Sequence, residues 1–156
     1  MSRQILVLGA TGMLGRPVVR CLADQGHRVR VLVRSIEKAH QILGDTVEVV
    51  EGSVLEKDNI QAAMGGCEAV HINLTQDTEL TAMGHVVDLA ADSGVERVSY
   101  VSATTAREEN RWFNVVDVKM RTEAILRSSG IASVIFCPTC GSWKRCPTSY
   151  TAVGQP

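Results

Sequence analysis

The chain has 156 residues, 45% of them hydrophobic and 21% charged, with a formal net charge of −1. That length supports one domain with its own core, and the balanced charge, without any basic stripe, argues against a nucleic-acid partner. No apolar stretch approaches the roughly 20 residues of a membrane-spanning helix, and five cysteines with no secretory leader before the first apolar run point to a reducing, cytoplasmic setting.

The first element lies in "QILVLGATGMLG". Ile5 to Leu8 is short, branched and uncharged, which predicts a strand buried on both faces. Gly9, Gly12 and Gly15 follow where that strand ends, and Leu14, Val18, Val19 and Leu22 then share one helical face. "QGHRVRVLVR" predicts a turn at Gly26 and a strand over 29–33, with a short helix over 37–43 behind it. "TVEVVEG" is a third strand ending at Gly52, and "EKDNIQAAMGGC" a helix closed by Gly65 and Gly66. "AVHIN" is a fourth strand. Residues 78–93 then form a helix with Leu80, Met83, Val87, Ala90 and Ala91 on one face, capped by Gly94. "RVSYVSA" is a fifth strand, and 115–129 a helix that buries Val116, Met120 and Ala124 before Gly130. "ASVIFCP" is a sixth strand, stopped at Pro138. Six strand–helix alternations predict an α/β fold, a doubly wound parallel sheet with helices on both faces and the Rossmann order 3-2-1-4-5-6. Residues 1–139 make up this domain. Residues 140–156, rich in Ser, Thr, Gly and Pro without apolar period, read as an irregular, unstructured tail.

Three glycines between a strand and a helix have a physical use. A helix amino terminus offers unpaired N–H groups and a partial positive charge, and so receives an anion, here a dinucleotide pyrophosphate. Gly9 allows the tight turn, Gly12 lets the backbone approach the phosphates, and Gly15 lets the helix pack closely on the strand. The spacing G-x-x-G-x-x-G is one residue longer in its first gap than the dehydrogenase fingerprint. The end of the second strand discriminates between dinucleotides. An acidic residue there would bind ribose hydroxyls; Arg34 stands there instead, with Lys38 one turn on, and a guanidinium grips a 2′-phosphate. NADP(H) is the expected cofactor ahead of NAD(H).

Other reactive residues carry less. His27 and His40 sit in polar stretches, His71 reads as a packed strand residue, and His85 has no metal partner at ligand spacing. No metal site is expected. "CPTC" (Cys137 to Cys140), with Cys146 beyond, lacks both the thioredoxin-like context and a fourth zinc ligand.

"VLGATGMLGRPVVRCLADQGHRVRVLVRS", "GCEAVHIN", "GVERVSYVSA" and "KMRTEAILRSSGIASVIFCPT" together resemble the NmrA-like, atypical short-chain dehydrogenases/reductases over residues 4–139. The resemblance assigns Gly9, Thr11, Gly12, Met13, Leu14 and Gly15 to the phosphate loop and Arg34 to the adenosine phosphate. It puts Ser53 where an aspartate approaches the adenine, and Asn73, Leu74 and Thr75 along the cofactor's middle. Ser102 matches the serine ending the fifth strand, and Lys119 the lysine that reaches the nicotinamide ribose; on its own spacing Lys119 reads equally as a solvent-facing helix residue. Val115 stands four residues before Lys119, where the wider superfamily carries its proton-donating tyrosine, so the catalytic residues stay unassigned.

Members of this group include reductases, epimerase-like enzymes and redox-sensing regulators. The resemblance therefore implies a dinucleotide binder that acts as a redox sensor, a regulator of a protein partner or a vestigial reductase. A reductase of a small carbonyl or quinone-like substrate and an inert fragment are the alternatives. Family members continue past the sixth strand into a substrate region. Residues 140–156 depart from that continuation, which leads to the expectation of an out-of-frame end or a naturally short product.

Overall fold

The computed structural model describes residues 2–138. The strands are β1 (Gln4–Leu8), β2 (Arg28–Val33), β3 (Glu48–Glu51), β4 (Ala69–Ile72), β5 (Arg97–Val101) and β6 (Ala132–Phe136). The helices are α1 (Gly15–Asp24), α2 (Ile36–Leu43), α3 (Lys57–Met64), α4 (Gln76–Ser93) and α5 (Asn114–Ser128), with a 3₁₀ turn at Glu108–Asn110. The sheet order is β3-β2-β1-β4-β5-β6, and every neighbouring pair is parallel. This is the doubly wound order expected from the alternation. The direction of travel reverses between β1 and β4, which opens a crevice at the carboxyl edge of the sheet.

The sheet feeds two cores, one on each face, because successive side chains point to opposite faces. Leu6, Leu8, Val70, Ile72, Val98 and Tyr100 pack under Ile60 and Met64 of α3, Met83 and Val86 of α4, and Leu126 of α5. Ile5, Val7, Val29, Val31 and Val33 pack under Val19 of α1 and Ala39 of α2. Every residue of β1 is buried, as its unbroken apolar run requires. Gly94 closes α4 in the left-handed region at φ +74°.

Two helical faces differ from the apolar reading. In α4, Met83 and Ala90 are buried but Ala91 is exposed, and the buried row begins with Glu79 and continues through Ala82, Met83, Val86 and Leu89. In α5, Val116 is buried but Ala124 is exposed and Met120 only half-buried, while Thr122 and Leu126 go inside. The cause is the same in both helices. A polar side chain that finds its partner can take a core position, so a count of apolar residues misplaces the stripe. Thr122 donates its hydroxyl to the Val118 carbonyl at 2.8 Å, and Glu79 meets a lysine.

The irregular tail expected over 140–156 lies outside the described residues, as do Cys140 and Cys146. Among the described residues no helix is long and apolar enough to cross a membrane, and no cluster of His, Cys, Asp or Glu could hold a metal ion.

Candidate functional site

The loops after β1, β2, β4 and β5 meet along the carboxyl edge. The loop after β1 is shaped by how little room its glycines have. Gly9 has φ +83°, and a Cβ there would stand 1.9 Å from the Asn73 carbonyl oxygen. Asn73 in turn donates its N–H to the Leu8 carbonyl at 3.0 Å. The loops leaving β1 and β4 are therefore in contact at the strand-order reversal. A Cβ on Gly15 would fall 2.2 Å from the Gly9 carbonyl oxygen, so this glycine lets α1 close onto the loop. Both follow from internal packing.

Gly12 differs. It is exposed, and a Cβ on it would meet only the Gly9 carbonyl oxygen, at 3.2 Å. Its N–H caps that same carbonyl at 3.1 Å. Arg16 braces the loop from outside by donating Nε to the Thr11 carbonyl at 2.9 Å. Met13 is 80% exposed, and Leu14 caps α1 with no side-chain hydrogen bond. Among the described residues no acceptor meets the N–H groups of Met13 and Leu14. The start of α1 thus presents free donors beside a bare Cα, the combination that receives an anion.

Arg34 follows β2, exposed, and its side chain makes no hydrogen bond or ion pair among the described residues. Ser35 behind it caps α2, accepting the Lys38 N–H at 3.3 Å, and leaves the Lys38 ammonium exposed. Gly52 donates to the Val33 carbonyl at 2.8 Å and so sets the start of the loop after β3 beside the end of β2. The Ser53 hydroxyl accepts from the Leu55 N–H at 3.2 Å, and the Ser53 N–H is held by Asn59 Oδ1 at 2.9 Å. Its hydroxyl therefore serves its own turn.

At the end of β5 the sequence reading needs its largest revision. Lys119 does not face solvent. Its Nζ lies 2.6 Å from Glu79 Oε2 and 2.9 Å from the Val101 carbonyl oxygen, with the side chain 14% exposed and that of Glu79 fully buried. The ammonium also sits 5.0 Å from the centre of the Tyr100 ring, within cation–π range. Burial pushes the Glu79 carboxyl above its ordinary range, and Lys119 opposes that shift. Tyr100 is completely buried; burial first, then the Glu79 carboxylate, pushes its phenol far up. It is neutral and sealed off from any substrate.

Ser102 is nearly buried, and its hydroxyl donates to Glu123 Oε1, while Glu123 Oε2 pairs with Arg127 at 3.3 Å. With its proton committed to a carboxylate, Ser102 offers a ligand only lone pairs. Val115 is half-buried in the first turn of α5. Among the described residues, no exposed tyrosine or other exposed acid stands beside Lys119 at this edge. Glu79, Thr122 and Glu123 were absent from the sequence reading. The one signal available was Glu79 itself, a carboxylate at helical spacing from Ala82, Met83 and Val86.

The remaining histidines are packed or paired. His71 is buried with Nδ1 2.9 Å from Ser99 Oγ, as a packed strand residue should be, and burial lowers its pKa to about 4. His40 pairs with Asp45, and His85 reaches the Leu55 carbonyl. Cys137 is exposed, with its thiol pushed up by partial burial and by Glu123, which argues against a reactive thiolate.

A glycine loop with free amides at a Rossmann strand-order reversal has a counterpart in known proteins. The sequence pattern of the NAD(P)H-binding family matches residues 9–154. The chain belongs to that family. It is an NAD(P)-binding domain of NmrA-like, atypical short-chain dehydrogenase/reductase type. It is 27% identical over 149 residues to the photosystem II assembly factor Ycf39 of Cyanophora paradoxa, across 90% of this chain and 46% of that protein. It is 33% identical over 127 residues to the (4-alkanoyl-5-oxo-2,5-dihydrofuran-3-yl)methyl phosphate reductase of Streptomyces griseus, across 81% and 44%. Among solved structures it is similar to a Citrobacter sp. triphenylmethane reductase complexed with NADP(H), with 26% identity, a TM-score of 0.71, and coverage of 85% of this chain and 48% of that one. The chain spans about half the length of these relatives.

Proposed function

We propose that the domain binds NADP(H) in preference to NAD(H) and works as a redox-responsive regulatory binder, or vestigial reductase, and not as a carbonyl reductase in its own right. The phosphates would lie on the amides of Met13 and Leu14 across Gly12. The 2′-phosphate would meet Arg34, the middle of the cofactor Asn73, and the nicotinamide end Ser102 and Lys119. The observation that carries the reading is Gly12: an exposed glycine whose missing side chain the protein's own packing barely requires. A glycine of that kind beside two free amides is accounted for by a ligand that approaches the backbone.

The preference for NADP(H) is supported by Arg34, an exposed cation without a partner among the described residues, and by the absence of an acidic residue at that strand end. The regulatory role is supported by what the nicotinamide end lacks. Val115 cannot donate a proton, Tyr100 is sealed, and the Ser102 hydroxyl already donates its hydrogen bond to Glu123. The relative named as an assembly factor is consistent with a binder that answers to a protein partner.

A second reading, reduction of a small carbonyl or quinone-like substrate, draws on the two relatives named as reductases. Calorimetric titration with NADP⁺ and NAD⁺ decides first. Tighter binding of NADP⁺ supports the proposal, tighter binding of NAD⁺ overturns the preference, and a folded chain that binds neither is inert. Oxidation of NADPH against a carbonyl and quinone panel then separates binder from enzyme.

A further inference from the structure

The contact between Glu79 and Lys119 joins two helices at the carboxyl end of β5, and none of the roles assigned so far uses the carboxylate. Glu79 has no exposed surface; its second oxygen, Oε1, closes no hydrogen bond of good geometry among the described residues, and the buried Tyr100 phenol lies beside the carboxyl. A carboxylate buried this completely persists only beside a cation. The cation is Lys119, whose ammonium has three donors. Glu79 Oε2 takes one at 2.6 Å and the Val101 carbonyl another at 2.9 Å. One N–H is left, on a side chain that keeps 14% of its surface open at the end of the strand preceding Ser102.

We infer that Glu79 is a positioning residue: it anchors and orients the Lys119 ammonium, so that one remaining N–H meets an acceptor oxygen of the bound dinucleotide. The inference rests on the dinucleotide reading above and deepens it at one contact. The groups facing the ammonium leave Glu79 no substitute. From β5 come the Val101 carbonyl and Tyr100, a neutral phenol. On α5, Glu123 one turn along is engaged by Ser102 and Arg127, and Asp117 is engaged by Arg111 and Arg121. From α4, Glu79 is the one carboxylate within ion-pair distance among the described residues. Without that charge, a largely buried ammonium surrenders its proton at lower pH.

The test is Glu79→Gln, which keeps size and polarity and removes the charge. Lys119 is followed by its side-chain carbon resonance in the unliganded protein, assigned with Lys119→Met. NADP⁺ affinity is measured by calorimetry between pH 7 and 10. In the wild-type chain affinity is flat across the range. In Glu79→Gln the Lys119 titration falls by a unit or more, and affinity drops about tenfold with each pH unit above the new midpoint. The double variant Glu79→Gln/Lys119→Met binds weakly and without that slope. A folded Glu79→Gln protein with an unmoved Lys119 titration overturns the inference, as does an affinity loss equal at every pH. Should Glu79→Gln not fold, the wild-type titration decides: Lys119 losing its proton below the ordinary lysine range, about 10.4, overturns the inference, and retention above it supports it. The resonance needs no ligand, so absence of dinucleotide binding would sink the proposed function while Glu79 is still judged on its own.

Discussion

Replacing Gly12 with valine puts a branched side chain into the one part of the glycine loop that the protein leaves open. The built Cβ meets a single neighbour, the Gly9 carbonyl oxygen at 3.2 Å, which clears with a shift of a few tenths of an ångström. Gly12 is exposed and has no positive φ, so the fold should lose only about 1 kcal/mol. Alanine at Gly9 would stand 1.9 Å from Asn73 at φ +83°, and alanine at Gly15 would stand 2.2 Å from Gly9, so each should cost the fold roughly 3 kcal/mol or more. Binding should respond in the opposite order. The valine methyls would cover the free amides of Met13 and Leu14, and two charge-assisted hydrogen bonds lost at about 1.5–3 kcal/mol each weaken dinucleotide binding at least about 10²-fold. Calorimetric titration with NADP⁺ beside a thermal melt reads both quantities. A Gly12→Val protein that is folded and binds with undiminished affinity would refute the phosphate-loop assignment.

Arg34→Asp should weaken NADP⁺ by roughly 2–4 kcal/mol through one lost charge-assisted contact and a new repulsion, while NAD⁺ affinity holds or rises; equal weakening of both would mean that Arg34 does not read the 2′-phosphate. With NADPH and simple aldehydes, ketones or quinones, turnover should stay near background, because general acid help is typically worth about 10²–10⁴-fold and no such donor stands beside Lys119 among the described residues. Turnover of about 1 s⁻¹ or more on any of them contradicts this. His71, with its pKa lowered by burial to about 4, binds its proton more readily unfolded than folded, so stability should fall as pH drops from about 6.5 towards 4, by up to about 3 kcal/mol. Urea melts at pH 7 and pH 4.5 on the wild type and on His71→Asn check this, and an equally steep pH dependence in the variant assigns the loss to other groups.

The sheet was legible because its signals are local. A buried parallel strand is a short branched run, a turn is marked by glycine, and handed crossovers favour the doubly wound order once helices alternate with six strands. The loop after β1 was legible for the same reason, since Gly9, Gly12 and Gly15 lie within seven residues of one another. What escaped is what depends on partners distant in sequence. Glu79 and Lys119 are separated by 40 residues, and Ser102 and Glu123 by 21. A polar residue in a helix looks like surface until its partner is known. That is why the α4 and α5 stripes were read from Ala91 and Ala124, and not from Glu79 and Thr122. The same blindness made Lys119 look half like a solvent residue.

The touching of Gly9 and Asn73 has a mechanical meaning. A dinucleotide is a ligand of set length, so a protein that holds both ends must hold them a set distance apart. Asn73 continues through Leu74 to Thr75, whose carbonyl accepts the Glu79 N–H at 3.0 Å, and the Glu79 side chain grips Lys119. Lys119 in turn is pinned to the last carbonyl of β5. In the proposed site these contacts form a gauge from the phosphate loop to the nicotinamide end, built from close contacts and one helical turn. Lengthening the turn between Asn73 and Glu79 by one residue would rotate Glu79 by about 100° around α4, since a helix has 3.6 residues per turn. The phosphate loop would survive such an insertion with its own residues intact, but Lys119 would lose the carboxylate that sets it, and the two ends would no longer be held for the same molecule.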